Sequence, residues 1–171
     1  RAAARQATEY LLRLGHRTVH HIAGPTEGKH SGRTEGWRAA LQAASAEVPA
    51  VMNADWDASS GYRWGERLAA RDDVTAVFCG NDEQAIGLMR ALADRGVRVP
   101  DDVALVGYDD IPYAAYSAVP LTTVRQPRAA IGRAAARLLL ARLGREVADT
   151  GPVAHVPELV VRASAPGPAI S

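Results

Sequence analysis

Four places along the chain carry side chains able to grip or transform a small molecule. They are Arg33 in SGRTEGW, Trp56 in NADWD, the pair Asn81-Asp82 in CGNDE, and the pair Asp109-Asp110 in VGYDDIP. A guanidinium donates in a planar fork, a carboxylate accepts paired hydroxyl protons, and an indole face stacks on the apolar side of a ring. Together these groups suit a polyhydroxyl or heterocyclic ligand. Taken singly, each has an ordinary structural reading: Asn81 or Asp82 as a helix N-cap, Asp110 as a turn former, Trp56 as core. Adjacent carboxylates also leave open an acid/base dyad or half of a metal site.

Motifs for enzyme chemistry are weaker. GPTEGKH (24–30) has three residues between its glycines where a phosphate loop has four, and His30 stands where Ser or Thr would hold magnesium. There is no Gly-x-Ser-x-Gly elbow and no Gly-x-Gly-x-x-Gly. His16, His20, His21, His30 and His155 show no metal-ligand spacing, and the acidic pairs lack the ligand-dense loop that calcium needs. Cys79 lies in an apolar run with no evident base, which fits an inert core thiol. No catalytic residue, metal or cofactor is expected.

The elements that must carry the four places follow from periodicity. RAAARQATEYLLRLGHR reads as a helix stopped at Gly15, and TVHHIAGP as a strand closed by Gly24-Pro25. Ser31 can cap a second helix with Trp37, Ala40, Leu41 and Ala44 as its apolar stripe. PAVMNADW reads as a strand, and a third helix starts at Ser59 or Ser60 and ends near Ala70. VTAVFC is an unbroken apolar strand, as expected when both faces are covered. A helix over 82–95 and the strand VALVG follow. This alternation predicts an α/β fold: a parallel sheet with helices on both faces. After Gly107 come a Pro- and Tyr-containing loop (108–120), the strand LTTVRQP, a helix over 128–143, and one or two strands in VAHVPELVVRAS split by Pro157. Arg33, Trp56, Asn81 and Asp109 then fall beyond the carboxyl ends of successive strands, where open parallel sheets gather ligands.

The 171 residues fit one domain, or one large domain with pieces of a second. Twenty basic against nineteen acidic side chains leave a formal charge of +1, unlike a nucleic-acid-binding face or a polybasic membrane patch. A single cysteine excludes an internal disulfide and suits a reducing compartment. No apolar stretch could span a bilayer, and none reads as a signal peptide. The opening RAAARQ, without Met and already helical, is expected to continue a longer protein.

RLGHRTVHHIAGP, SGRTEGWRAAL, VTAVFCGNDEQAIGLMRALADRGVRVPDDVALVGYDD and VPLTTVRQPRAAIGRAAARLLL resemble the lactose-repressor/galactose-repressor family of bacterial transcription regulators over roughly residues 5–162. The resemblance implies a periplasmic-binding-protein-like effector core of two lobes, preceded by a helix-turn-helix head and hinge helix outside this chain. Residues 1–125 would be the C-terminal lobe. Residues 126–157 would be a crossover helix and strand of the N-terminal lobe, 158–162 the return strand, and 163–171 a flexible tail. Arg33 and Asp109 would grip the effector, Asn81 would hydrogen-bond it and Trp56 would wall it. Asp82 would cap its helix and Asp110 would brace the following loop. The segment TVRQPRAAIG departs from members with an aromatic residue near Pro127–Arg128, so sugar and purine effectors both stay open. The implied assembly is a cytoplasmic homodimer acting on operator DNA, with Gly87, Met89, Arg90, Tyr113 and Tyr116 as interface candidates. The alternative is a periplasmic sugar-binding protein of a transporter.

Overall fold

The computed structural model describes residues 1–25, 31–145 and 157–167. Along them lie α1 (Ala2–Arg13), β1 (His20–Ala23), α2 (Gly32–Ala43), β2 (Met52–Asn53), α3 (Ala58–Leu68), β3 (Ala76–Cys79), α4 (Asp82–Asp94) and β4 (Ala104–Asp109). A 3-10 turn (Pro112–Tyr116), β5 (Thr122–Arg125), α5 (Arg128–Arg142) and β6 (Glu158–Val160) complete them. The sheet order is β2-β1-β3-β4-β5-β6; the first five strands are parallel and β6 runs antiparallel to β5. The expected α/β sheet is therefore present.

Alternation along the strands divides the core. Phe78, Val106, Tyr108 and Val124 face α1 and α2, where Ala4, Ala7, Leu11, Trp37 and Leu41 are buried. Val77, Cys79 and Leu105 face the other layer, built on Ala85, Leu88 and Leu92 of α4 and Leu68 of α3. Successive strand side chains point to opposite faces, so a strand covered on both sides has no polar position to give up. His21 is nonetheless one of the buried polar strand residues, stacked on Phe78 with ring centroids 5.0 Å apart. Its Nδ1 donates to the Phe78 carbonyl at 2.9 Å and its Nε2 accepts from Thr34 Oγ1 at 3.2 Å. A neutral ring satisfies both contacts, and burial pushes its pKa down to about 4.

Helices α3 and α4 approach backbone to backbone. A Cβ at Gly87 would overlap the Ala58 carbonyl, and one at Gly61 would overlap the Gln84 carbonyl. Gly87, an interface candidate from the sequence, is thus buried against α3 and presents no exposed surface.

Several boundaries differ from expectation. β2 is only two residues long. α3 is capped by Asp57, whose carboxylate accepts from Ser60 N at 2.7 Å, so Ser59 and Ser60 fall inside its first turn. The flexible tail expected from 163 is anchored at its start. Ser164 and Ala165 are fully buried; Ser164 Oγ donates to the Leu105 carbonyl at 2.7 Å and accepts from Thr122 N at 2.8 Å. Tyr10 Oη donates to the Ala165 carbonyl at 2.8 Å, tying this segment to α1. The strand residues expected before Pro157, at 153–156, lie outside the described residues.

Gly87→Ala should cost about 1–3 kcal/mol of unfolding free energy by overpacking. Gly132→Ala, in open space on α5, should be neutral or stabilising by about 0.5–1 kcal/mol. Urea melts of the two variants measure the contrast. For His21, the unfolded ring binds a proton below about 6.5 and the folded ring only below about 4. The unfolded state therefore holds more protons in that window, and stability falls as pH is lowered through it, by about 3 kcal/mol. Urea melts from pH 7 to 4 should show this loss, and a His21→Gln variant should lack that part of the slope.

Candidate functional site

The strand order reverses between β1 and β3, and at that switch point the carboxyl ends of β1, β3, β4 and β5 share one edge. Arg33 stands there as the second residue of α2, a helix started by Ser31, whose hydroxyl accepts from Thr34 N at 3.3 Å. Its Nη1 donates to the Gly80 carbonyl at 2.7 Å, and its Nη2 lies 3.4 Å from Asp109 Oδ1. The guanidinium carbon sits 4.2 Å from the Tyr108 ring centre and 5.2 Å from that of Trp56. Two aromatic rings and two oxygens thus fix one cation, which keeps free N–H edges for a ligand.

Trp56 is 41% exposed and lies flat on backbone. A Cβ on Gly24 would fall inside its ring, and one on Gly80 would come within 3.1 Å of it. Glycine at 24 is what lets the indole sit at the switch point, with Gly80 close beneath it. Asn81 supports that placement. Its Nδ2 donates to the Trp56 carbonyl at 2.9 Å, while its Oδ1 caps α4 by accepting from Gln84 N at 2.8 Å. Gln84 is fully buried, and its Nε2 donates to the Asp55 carbonyl at 2.8 Å and to the Ala23 carbonyl at 3.3 Å. The ends of β1 and β2 are therefore tied to α4.

Beyond Tyr108 the backbone bends through Asp109 (φ 118°) and Asp110 (φ 52°), two consecutive non-glycine residues at positive φ. The network around them holds this bend. Asp110 accepts from Arg125 Nε at 2.6 Å and from Arg162 Nη2 at 2.7 Å. Burial would raise its carboxyl, but the two guanidiniums outweigh burial and hold it below the ordinary range. Asp82 is not the cap of α4. Its buried carboxylate accepts from Thr123 Oγ1 at 2.5 Å and Ile111 N at 2.8 Å, joining α4 to β5 and to the loop after the bend. Burial pushes its pKa up, against these two hydrogen bonds. Asp109 is left facing the cleft edge, with Arg33 and Gln126 on one oxygen and Arg128 3.2 Å from the other.

The structure thus brings Arg33, Trp56, Asn81 and Asp109 to one edge. Both amide groups of Asn81, however, are engaged within the protein. Tyr108, Gln84, Gln126 and Arg128 were not singled out from sequence. Gln84 had a signal, three residues after the capping Asn81 in a capping-box spacing, although its side chain bonds neighbouring loops instead of the cap. Arg128 and Gln126 had none, because their contact with Asp109 needs β5 beside β4. Among the described residues no group of three or more His, Cys, Asp or Glu side chains comes together around a metal position. Cys79 is buried, and burial pushes its thiol up.

A second surface lies on the opposite side of α4. Met89, Ile86, Val97, Val99, Ala118 and Val119 line an apolar groove of about 620 Å³. Arg90 edges it, and Tyr113 and Tyr116 stand exposed on the nearby 3-10 turn. Met89, an interface candidate from the sequence, is itself buried at the floor of this groove, packed with the α4 core.

Residues 8–165 match the family described as periplasmic binding protein-like domain. The chain is 37% identical over 167 residues to the HTH-type transcriptional repressor PurR of Klebsiella pneumoniae (strain 342), covering 95% of this chain and 49% of that protein. It spans about half the length of the curated relatives it matches. Among solved structures it is similar to a LacI family transcriptional regulator from Lactobacillus casei with bound sucrose (TM-score 0.89, 37% identity, 95% of this chain and 62% of that one). It is also similar to the lac repressor dimer bound to operator and the anti-inducer ONPF (TM-score 0.81, 32% identity, 96% and 58%).

The bend at Asp109 has a direct test. Glycine relaxes at φ 118° and alanine does not. Asp109→Gly and Asp109→Ala both lose the carboxylate, so Asp109→Gly should be the more stable by about 1 kcal/mol in urea melts. Equal stability would mean the bend is unstrained.

Proposed function

The chain belongs to the periplasmic binding protein-like domain family, in the form found in LacI-type regulators, and from that premise we propose that it is the ligand-sensing and dimerisation part of a bacterial transcription regulator. The observation that carries the reading is the Arg33 guanidinium, fixed between Tyr108 and Trp56 beside Asp109 at the carboxyl edge of the parallel sheet. A ring with several hydroxyls finds there an indole face, a forked donor and a carboxylate. The bound sucrose of the Lactobacillus casei regulator favours a sugar or sugar-like effector. The similarity to repressors favours a cytoplasmic regulator over a transporter's solute-binding protein.

Residues 1–125 then form one lobe, and the crossover begins at Gln126–Pro127. Helix α5 leaves the sheet with Leu138, Leu139, Leu140 and Leu143 exposed and only Ala130 buried, as expected of a helix belonging to a second lobe. An effector held between the lobes favours the closed arrangement by its extra contacts there. Lobe rotation changes the spacing of two DNA-reading heads, which would precede this chain, and so couples effector to operator. The groove along Met89 and Arg90, with Tyr113 and Tyr116 beside it, is the surface offered for the homodimer, joined there by its twofold copy.

Calorimetric titration of sugars and purine bases into the full-length protein tests the site. For the best ligand, Arg33→Ala and Asp109→Ala should each weaken binding by about 10- to 100-fold, the loss of a hydrogen bond to a charged group. If both variants bind like wild type, the effector lies elsewhere.

A further inference from the structure

We propose that the effector carries a carboxylate, as a sugar acid does, and that Arg128 is the residue that selects it; the proposal rests on reading the Arg33–Asp109 edge as the effector site. Two guanidiniums close on one carboxylate there. Arg33 Nη2 lies 3.4 Å from Asp109 Oδ1, and Arg128 Nη2 lies 3.2 Å from Oδ2. Gln126 Nε2 also donates to Oδ1. Both oxygens of the cleft-facing acceptor are therefore engaged by the protein's own donors.

What remains for a ligand is donor surface. A guanidinium has donors and no acceptor. Arg33 gives one amino group to the Gly80 carbonyl and the other to Asp109, while Arg128 reaches Asp109 and stays 56% exposed. Helix α5 opens at Arg128 with no side-chain cap and no acidic residue in its first turn, so its positive end adds to the same potential. Among the described residues the neighbouring acids do not cancel it. Asp110 is matched by Arg125 and Arg162, Glu158 lies 3.7 Å from Arg125, and Asp82 is buried beneath the bend against Thr123 and Ile111.

A neutral sugar offers hydroxyls that both donate and accept, and its donors share Asp109 with two guanidiniums and an amide. A carboxylate offers acceptors only. It takes the place of Asp109 on Arg128 in a forked, charge-assisted contact and leaves Asp109 to Arg33, Gln126 and the sugar hydroxyls. Asp109 thus acts as a stand-in that holds both guanidiniums in position until the effector arrives.

The test is calorimetry on the full-length protein with three matched pairs: glucose and glucuronate, galactose and galacturonate, cellobiose and cellobionate. In at least one pair the acid should bind at least about tenfold more tightly than the neutral sugar, a margin typical of a charge-assisted contact. Arg128→Gln should erase that ratio, and Arg128→Lys should restore part of it. Equal binding within every pair, or a ratio unmoved by Arg128→Gln, overturns the proposal. The site reading survives that result if Arg33→Ala still weakens binding of the neutral sugars by about 10- to 100-fold. No binding by any of the six compounds overturns the proposal, and binding indifferent to Arg33→Ala overturns both.

Discussion

The site depends on a bend that its own residues resist. Strand β4 ends in two aspartates at positive φ, a conformation that costs of order 1–3 kcal/mol per residue unless the surroundings impose it. The surroundings do so from three elements. Arg125 on β5 and Arg162 after β6 hold Asp110, and Asp82 at the start of α4 holds the next backbone N–H, at Ile111. With Asp110 turned into this network, Asp109 is turned out of it, toward Arg33. A strand continued in its regular course would alternate the two carboxylates between faces and present neither to the edge in this way.

That dependence explains which parts of the fold were legible in the sequence. Alternating helix and strand periods, Gly15 and Gly96 after their helices, and the apolar run VTAVFC carry local information, and each element they imply is present. The cap of α3 was misread because Asp57, Ser59 and Ser60 are all acceptable caps, and only the geometry of the preceding turn selects Asp57. The start of the expected tail differs for another reason. Ser164 and Ala165 have the composition of a loose tail, but they fill an unpaired stretch of backbone beside Leu105 and Pro120. Nothing local announces a partner about sixty residues away.

The site divides along the same line. Residues that follow a strand and precede a helix could be found by position, and Arg33, Trp56, Asn81 and Asp109 were. Asn81 was located, yet its amide serves the Trp56 carbonyl and the α4 cap at once, a role that depends on where the β2–α3 loop passes. Tyr108 was read as the first residue of the loop after Gly107, but it belongs to β4; its ring is core on one side and a platform for Arg33 on the other. Gln126 and Arg128 sit past the end of β5, and only the parallel register of β4 with β5, which places Asp109 opposite Arg125, brings them to the carboxylate.

The indole of Trp56 rests on two positions that have no side chain, Gly24 and Gly80, and this sets where such a site can drift. Any residue larger than glycine at position 24 displaces the ring, and with it one wall of the Arg33 cage, while one at position 80 crowds it. Evolutionary change toward a new effector is thereby steered away from the switch point. It is channelled to the rim, where Gln126 and Arg128 can be exchanged without disturbing the backbone of β1, β3 or β4. The floor is inherited whole, and the vocabulary of effectors is written at its edge.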